Sequence, residues 1–99
     1  MTTKQEQILL HLYGQLGYGN TYEMPYETTQ NGIADAIGVS RGHVSIEMKK
    51  LETKGLVYRL ERHVKKDGIV RKTNRRCYRL NALGIMVTQD LMRSMEVMS

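Results

Sequence analysis

The chain is sparing with the residues that build disulfides, metal cages and rigid bends. Among 99 residues there are one cysteine, one proline and three histidines. A single thiol, Cys77, cannot close an internal disulfide, which fits a reducing cytoplasm. His11, His43 and His63 fall on separate segments with no metal-ligand spacing, so no metal and no other cofactor is expected. Catalysis also lacks its usual parts. His43 and Ser45 would share an open helix surface, and Cys77 stands in an expected strand beside the bulky Tyr78, so the chain does not read as an enzyme. The first residues lack an apolar core of signal-peptide length and no run approaches a membrane span, which points to a soluble cytoplasmic protein. Gly14, Gly17 and Gly19 follow a helix rather than a strand, so they suit a helix exit and linker better than a pyrophosphate-binding turn. With 40% hydrophobic residues, residues 1–99 make a single domain with one modest core.

Positive charge is abundant, and it is segregated. Residues 1–40 hold one Lys and four acids, residues 41–80 thirteen Lys or Arg and four acids, and residues 81–99 one Arg and two acids. A merely solubilising charge needs no such segregation. The basic half is therefore expected to meet a polyanion.

The stretch from Thr28 to Val57 organises the chain. Thr29 can cap a helix starting Gln30-Asn31-Gly32, in which Ile33, Ala34 and Ile37 share a face. Gly38 can leave that helix with positive φ, Val39 is an apolar plug, and Ser40 can cap a second helix over 41–54 that ends at Gly55. Val44, Met48 and Leu51 recur at i, i+4 and i+7, leaving Arg41, Gly42, His43, Ser45, Ile46, Glu47, Lys49 and Lys50 on the remaining surface. This is a helix-turn-helix over 29–54.

Before it, Thr3 and Glu6 have capping-box spacing for a first helix reaching Leu16, with Ile8, Leu9, Leu12 and Leu16 along one side. His11 lies on its polar flank, and no role is assigned to it. Pro25 makes the 20–28 segment extended, and the alternation of Tyr22, Met24 and Tyr26 would turn one side to the core. After Gly55 the period becomes alternating, giving a long hairpin over 56–80 with Lys65-Lys66-Asp67-Gly68 at its tip. Two register cues conflict there. Asp67-Gly68 asks for a two-residue turn pairing Tyr58 with Cys77, whereas apolar alternation asks Leu56, Tyr58 and Leu60 to share a face with Tyr78 and Leu80. Burial at the base is expected to prevail over a mobile tip. A last helix over 82–98 carries Leu83, Val87, Leu91, Met95 and Met98 in a stripe widened by Ile85, Met86 and Met92. That is broader than one side of a small domain needs, and it is a candidate homodimer interface.

Thr29-Gln30, Ile33-Ala34, Gly38-Val39-Ser40, Val44-Ser45, Leu51 and Gly55-Leu56-Val57 together resemble the pattern of bacterial and archaeal winged helix-turn-helix transcription regulators, the MarR-like group and its archaeal relatives among them. Cys77-Tyr78-Arg79-Leu80-Asn81-Ala82-Leu83-Gly84 is similar to the Tyr-x-Leu-Thr-x-x-Gly segment that often follows the wing, with Asn81 where Thr is commoner; both residues cap helices. The resemblance covers residues 28–84. It implies an α+β fold, mostly α: an N-terminal helix, the helix-turn-helix, a long hairpin wing, a C-terminal helix, and a short strand before the second helix pairing with the wing.

The function expected is sequence-specific binding of double-stranded DNA in transcription control, close to the nucleoid. The recognition helix 41–54 would enter the major groove, with Arg41 and His43 reading base edges, Ser40 donating to phosphate and Gly42 allowing close approach. Ser45, Ile46 and Lys49 follow along the helix, and Thr29 and Gln30 would meet phosphate. Arg62, Lys65, Lys66, Arg71, Lys72, Arg75 and Arg76 would line the wing on backbone and minor groove, while Arg59 and Arg79 lie nearer its base. A homodimer would place two recognition helices on half-sites about 10 base pairs apart. The rival reading is a winged-helix adaptor that docks RNA or an acidic protein through its basic hairpin.

Overall fold

The computed structural model describes residues 3–19 and 22–98, without the side chains of residues 72, 73, 97 and 98. In chain order the elements are α1 (Lys4–Gly14), β1 (Glu23–Pro25), a 3-10 turn (Tyr26–Thr28), α2 (Gln30–Ile37), α3 (Arg41–Thr53), β2 (Val57–Lys66), β3 (Ile69–Leu80) and α4 (Ala82–Met98). This is a winged helix-turn-helix, with α2 and α3 as its two central helices and β2–β3 as the wing. The second of those helices ends at Thr53, with Lys54 as its cap and Gly55 leaving at φ 73°. No helix among the described residues is long and apolar enough to cross a membrane.

Local chemistry starts each helix. Thr3 Oγ1 accepts from Glu6 N at 3.1 Å while Glu6 Oε1 accepts from Thr3 N at 2.8 Å, satisfying two backbone donors at once. The bond from the Thr3 backbone, joined by its hydroxyl, holds the Glu6 carboxyl below its ordinary pKa. A group whose folded pKa is lowered stabilises the fold above its unfolded pKa, and that contribution is lost as pH falls through the folded value. The parent chain should therefore melt above Glu6→Gln at neutral pH, and the gap should close below about pH 4. Thr3→Ala should cost about 1 kcal/mol at neutral pH. Thermal melts across pH read both; a gap independent of pH would remove the charged capping box.

Ile8, Leu9 and Leu12 of α1, Ile33 and Ala34 of α2, Val44, Met48 and Leu51 of α3, and Leu56, Val57, Tyr78 and Leu80 at the wing base form the main core. A smaller cluster of Met24, Val64 and Cys77, packed by Tyr26 and Leu60, lies higher on the sheet. His11, far from being simply solvated, donates from Nε2 to the Glu27 carbonyl at 2.7 Å and so ties α1 to the 3-10 turn.

The sheet runs β1-β2-β3, with β1 parallel to β2 and Met24 opposite Val64. At the tip, Lys66 pairs with Ile69 across Asp67 (φ 53°) and Gly68 (φ 81°), a mirror-image two-residue turn. That register holds to Val64 opposite Arg71, then shifts between Arg62 and Val64, and Arg62 faces Arg75. From there to the base, Val57 faces Leu80.

The face expected for Leu56, Tyr58 and Leu60 with Tyr78 and Leu80 is not formed. Leu60 stands opposite Cys77, and Tyr58, opposite Arg79, is 44% exposed. The reason is that β2 serves two cores, one on each face. Val57 enters the main core, while Leu60 and Val64, on the other side of the pleat, meet the small cluster. Alternation over a single core therefore misreads this strand. Of the β1 alternation, Met24 turns inward and Tyr26 is half-buried, but Tyr22 is 78% exposed.

Asn81 caps α4 by accepting from Gly84 N at 2.8 Å. The side of α4 buried within this chain is Gly84 and Thr88, with Ile85 and Leu91 half-buried. Gly84 passes against the Leu56 carbonyl, where a Cβ would not fit. Leu83, Met86, Val87, Met92 and Met95 are left exposed; the side chain of Met98 lies outside the described residues.

Candidate nucleic-acid interface

Three segments converge at the start of α2. Thr29 Oγ1 donates to the Tyr26 carbonyl at 2.6 Å and accepts from Gly32 N at 3.1 Å, so the cap is anchored on both sides. Gly38, left-handed at φ 71°, turns the chain, and Ser40 Oγ accepts from His43 N at 3.1 Å to start α3. The edge of β3 reaches the same place through a bridge between Cys77 and Thr29. A cleft of about 160 Å³ forms there, lined by Thr29, Gln30, Asn31, Arg41, Arg75 and Arg76. Three arginines line it and no acidic residue does. Like charges brought together without a counterion repel, so the arrangement favours an anion. The amino end of α2, the positive end of its dipole, adds to the same sign.

Thr29 and Arg75 also line a second cleft of about 200 Å³ with Tyr26, Val64, Lys66 and Arg71. The two clefts make one basic trough from the start of α3 to the outer wing.

The structure separates the two residues expected to read bases. At about 100° per residue, Arg41 and His43 diverge by about 200° around α3. Arg41 faces the cleft with Arg75 and Arg76. His43 lines a groove on the other flank with Thr3, Leu9 and Lys54, and its Nε2 lies 3.8 Å from Glu47 Oε1. A hydrogen bond to Gln5, aided by Lys50, holds Glu47 below its ordinary pKa. Between the flanks, opposite Val44, Met48 and Leu51, lie Gly42, Ile46 and Lys49, with Ile46 56% exposed. Ser45 is half-buried on the Arg41 side.

The wing cations also divide. Lys65, Arg71, Arg75 and Arg76 are exposed. Arg62 is half-buried, with Nη1 on the Glu61 carbonyl at 2.8 Å and Nε without a hydrogen-bond partner. Lys66 Nζ rests over the Tyr26 ring. The side chain of Lys72 lies outside the described residues. Arg59 pairs with Glu52 at 3.1 Å and Arg79 donates to the Leu16 carbonyl at 2.8 Å, so both brace the base. Cys77 is fully buried, and burial raises its thiol pKa.

Besides the apolar Val64, two residues of the trough escape a reading of the sequence. Asn31 carried a signal, since it follows Gln30 in the first turn of α2. Tyr26 carried only an alternation that pointed to the core.

No protein-family model matches the chain, and no curated protein does. Solved structures do. Staphylococcus aureus MepR, a transcription regulator of the multidrug efflux pump MepA, is 24% identical over 99% of this chain and 60% of its own, with a TM-score of 0.72. MepR in its complex with DNA is 26% identical over 99% of this chain and 67% of its own, at a TM-score of 0.69. Lactococcus lactis ZitR, a zinc-responsive MarR family member, is 22% identical over 97% of this chain and 54% of its own, at 0.64. The chain thus spans 60% of the length of that first MepR structure. Matched over 97–99% of its length at TM-scores of 0.64–0.72, it has the winged helix-turn-helix fold of the MarR-like transcription regulators.

Proposed function

We propose that this protein binds double-stranded DNA as a homodimer and controls transcription beside the chromosome in the cytoplasm. The observation that carries the reading is the acid-free cleft where Arg41 of α3, Arg75 and Arg76 of the wing and Thr29-Gln30-Asn31 of α2 meet. A backbone phosphate seated there would receive guanidinium groups from two elements and the amino end of a third. The line of Gly42, Ile46 and Lys49 then enters the major groove, with Gly42 letting the helix approach closely. Arg41 reaches base edges or phosphate from one flank, and His43 from the other only by turning away from Glu47. Lys65, Arg71 and Arg76 extend the cationic track along the wing toward the minor groove. MepR, which shares the fold, has been solved on DNA.

Fluorescence anisotropy of a mixed-sequence duplex over a salt series tests this. Binding that weakens steeply with salt supports it, by about 10³-fold or more if six phosphates are neutralised. No binding to any duplex at low salt overturns it, and RNA or an acidic protein surface becomes the partner to seek.

The dimer reading rests on the apolar residues of α4 that are exposed in the single chain, Leu83, Met86 and Val87 near its start and Met92 and Met95 near its end. Leu83 and Val87 are the members of the expected stripe nearest its start; Leu91 is half-buried. Sedimentation should give a dimer at micromolar concentration and a monomer for Val87→Glu combined with Met95→Glu, with unchanged helix content. A parent chain that stays monomeric at high concentration removes the dimer.

A further inference from the structure

Tyr26 sits where three parts of the fold meet. It opens the 3-10 turn between β1 and α2, is half-buried, and packs on Met24, Val64 and Cys77. Its hydroxyl donates to Asp35 Oδ2 of α2 at 2.9 Å. Lys66 Nζ lies 4.3 Å from the centroid of its ring. Lys66 is the last residue of β2, next to the Asp67-Gly68 turn, and shares a strand face with Val64. The ring therefore touches the helix-turn-helix at its hydroxyl and the outer wing at its face. On the neighbouring side, β1 reaches the same height, with Pro25 opposite Lys65. A hairpin this long would swing about its base if left alone, but this one is held near its tip from two sides.

We propose that Tyr26 is a positioning residue: with Asp35 on its hydroxyl and Lys66 on its ring, it sets the wing against the helix-turn-helix so that Arg71 and Arg75 stand at a fixed distance from Arg41. In this arrangement Lys66 holds the wing rather than neutralising a phosphate, since its ammonium is engaged on an aromatic face. Only the consequence for affinity rests on the DNA reading above; the placement of the wing does not.

The test uses the full chain with spin labels at Ile69→Cys on the wing and Ala36→Cys on α2, both exposed, while the buried Cys77 stays in place. Pulsed electron resonance without DNA reads the wing distance, and anisotropy over a salt series reads binding. Tyr26→Leu and Lys66→Met should each broaden the distance distribution, and the double variant should broaden it no further. Each should weaken duplex binding about threefold to tenfold, the scale of one cation resting on a ring, with the salt slope unchanged. Tyr26→Phe keeps the ring under Lys66 but loses the bond to Asp35, and should give a broadening between those of the parent chain and Tyr26→Leu. Lys66 is exposed, so Lys66→Met tests the idea even where Tyr26→Leu unfolds. An unchanged distribution in folded Tyr26→Leu or in Lys66→Met overturns the proposal. So does a salt slope flattened by about 1 in Lys66→Met whatever stands at position 26, because Lys66 would then be a phosphate contact. A parent chain that binds no duplex, yet whose wing distances respond as described, leaves Tyr26 in this role and removes the DNA reading.

Discussion

A chain carrying Arg41→Ala, Arg75→Ala and Arg76→Ala will bind duplex DNA about 10²-fold or more weaker at moderate salt, and its plot of log affinity against log salt will be flatter by about 3. Each cation that neutralises a phosphate releases condensed counterions, and the slope counts them. These three arginines line one cleft from two separate elements, so their loss removes a site rather than a diffuse charge. Arg41 and Arg75 are exposed and should leave folding unchanged, while Arg76, exposed but bonded to the Tyr78 side chain, should lower stability modestly, so helix content and Tm are read alongside binding. Arg93→Ala, an exposed arginine of α4 paired at i,i+3 with Asp90, is the control and should change affinity by less than about twofold. A triple variant that keeps the parent's slope would show that the cleft does not hold phosphate.

The second large effect concerns stability. Gly32→Ala will destabilise the fold by about 3 kcal/mol or more, a loss of about 15 °C in Tm for a domain of this size. Helix propensity alone predicts the opposite, a gain of up to about 1 kcal/mol when Gly gives way to Ala inside a helix. The clash decides the sign. A Cβ at position 32 would run into the Tyr26 carbonyl oxygen and the Glu27 Cα, both backbone, which cannot rotate away. Relief requires α2 to lift from the 3-10 turn, breaking the bonds that Thr29 makes to the Tyr26 carbonyl and to Gly32 N. Gly42→Ala is the counterpart. Nothing lies within 4 Å of its added carbon, so propensity prevails and the chain gains about 0.5–1 kcal/mol. If Gly42 faces the groove of DNA, the same variant will bind duplex more weakly while melting higher. Chemical denaturation of the two variants separates the cases, and a Gly32→Ala chain as stable as the parent would contradict the packing at the start of α2.

How much was legible in the sequence follows from the range of the forces involved. Thr3, Thr29 and Ser40 cap helices through bonds to residues three positions away, and Gly38 turns because only local sterics must allow it, so these features could be read directly. The stripe of Val44, Met48 and Leu51 was equally plain, since one helix buries one face in one core. The wing was visible as alternation and the two-residue turn at its tip as Asp67-Gly68, but the register at its base was not. β2 meets a main core on one face and a small cluster on the other, and its pairing with β3 shifts between Arg62 and Val64. No alternation along one strand encodes that, because the second core exists only once β1 has packed alongside.

The same limit applies to the site. The sequence by itself determined the fold class, the helix-turn-helix and the side of the charge, because periodicity, caps and composition are properties of neighbours along the chain. Only the tertiary structure decided which of the basic residues lie together. Arg41 joined Arg75 and Arg76 across a gap of more than thirty positions while His43, two residues away, turned to the opposite flank. Lys66 left the ranks of free cations for the ring of Tyr26, and Arg59 and Arg79 were taken up by Glu52 and the Leu16 carbonyl. Those assignments depend on how α2, α3 and the wing cross, and the crossing is set by the packing of side chains far apart in sequence.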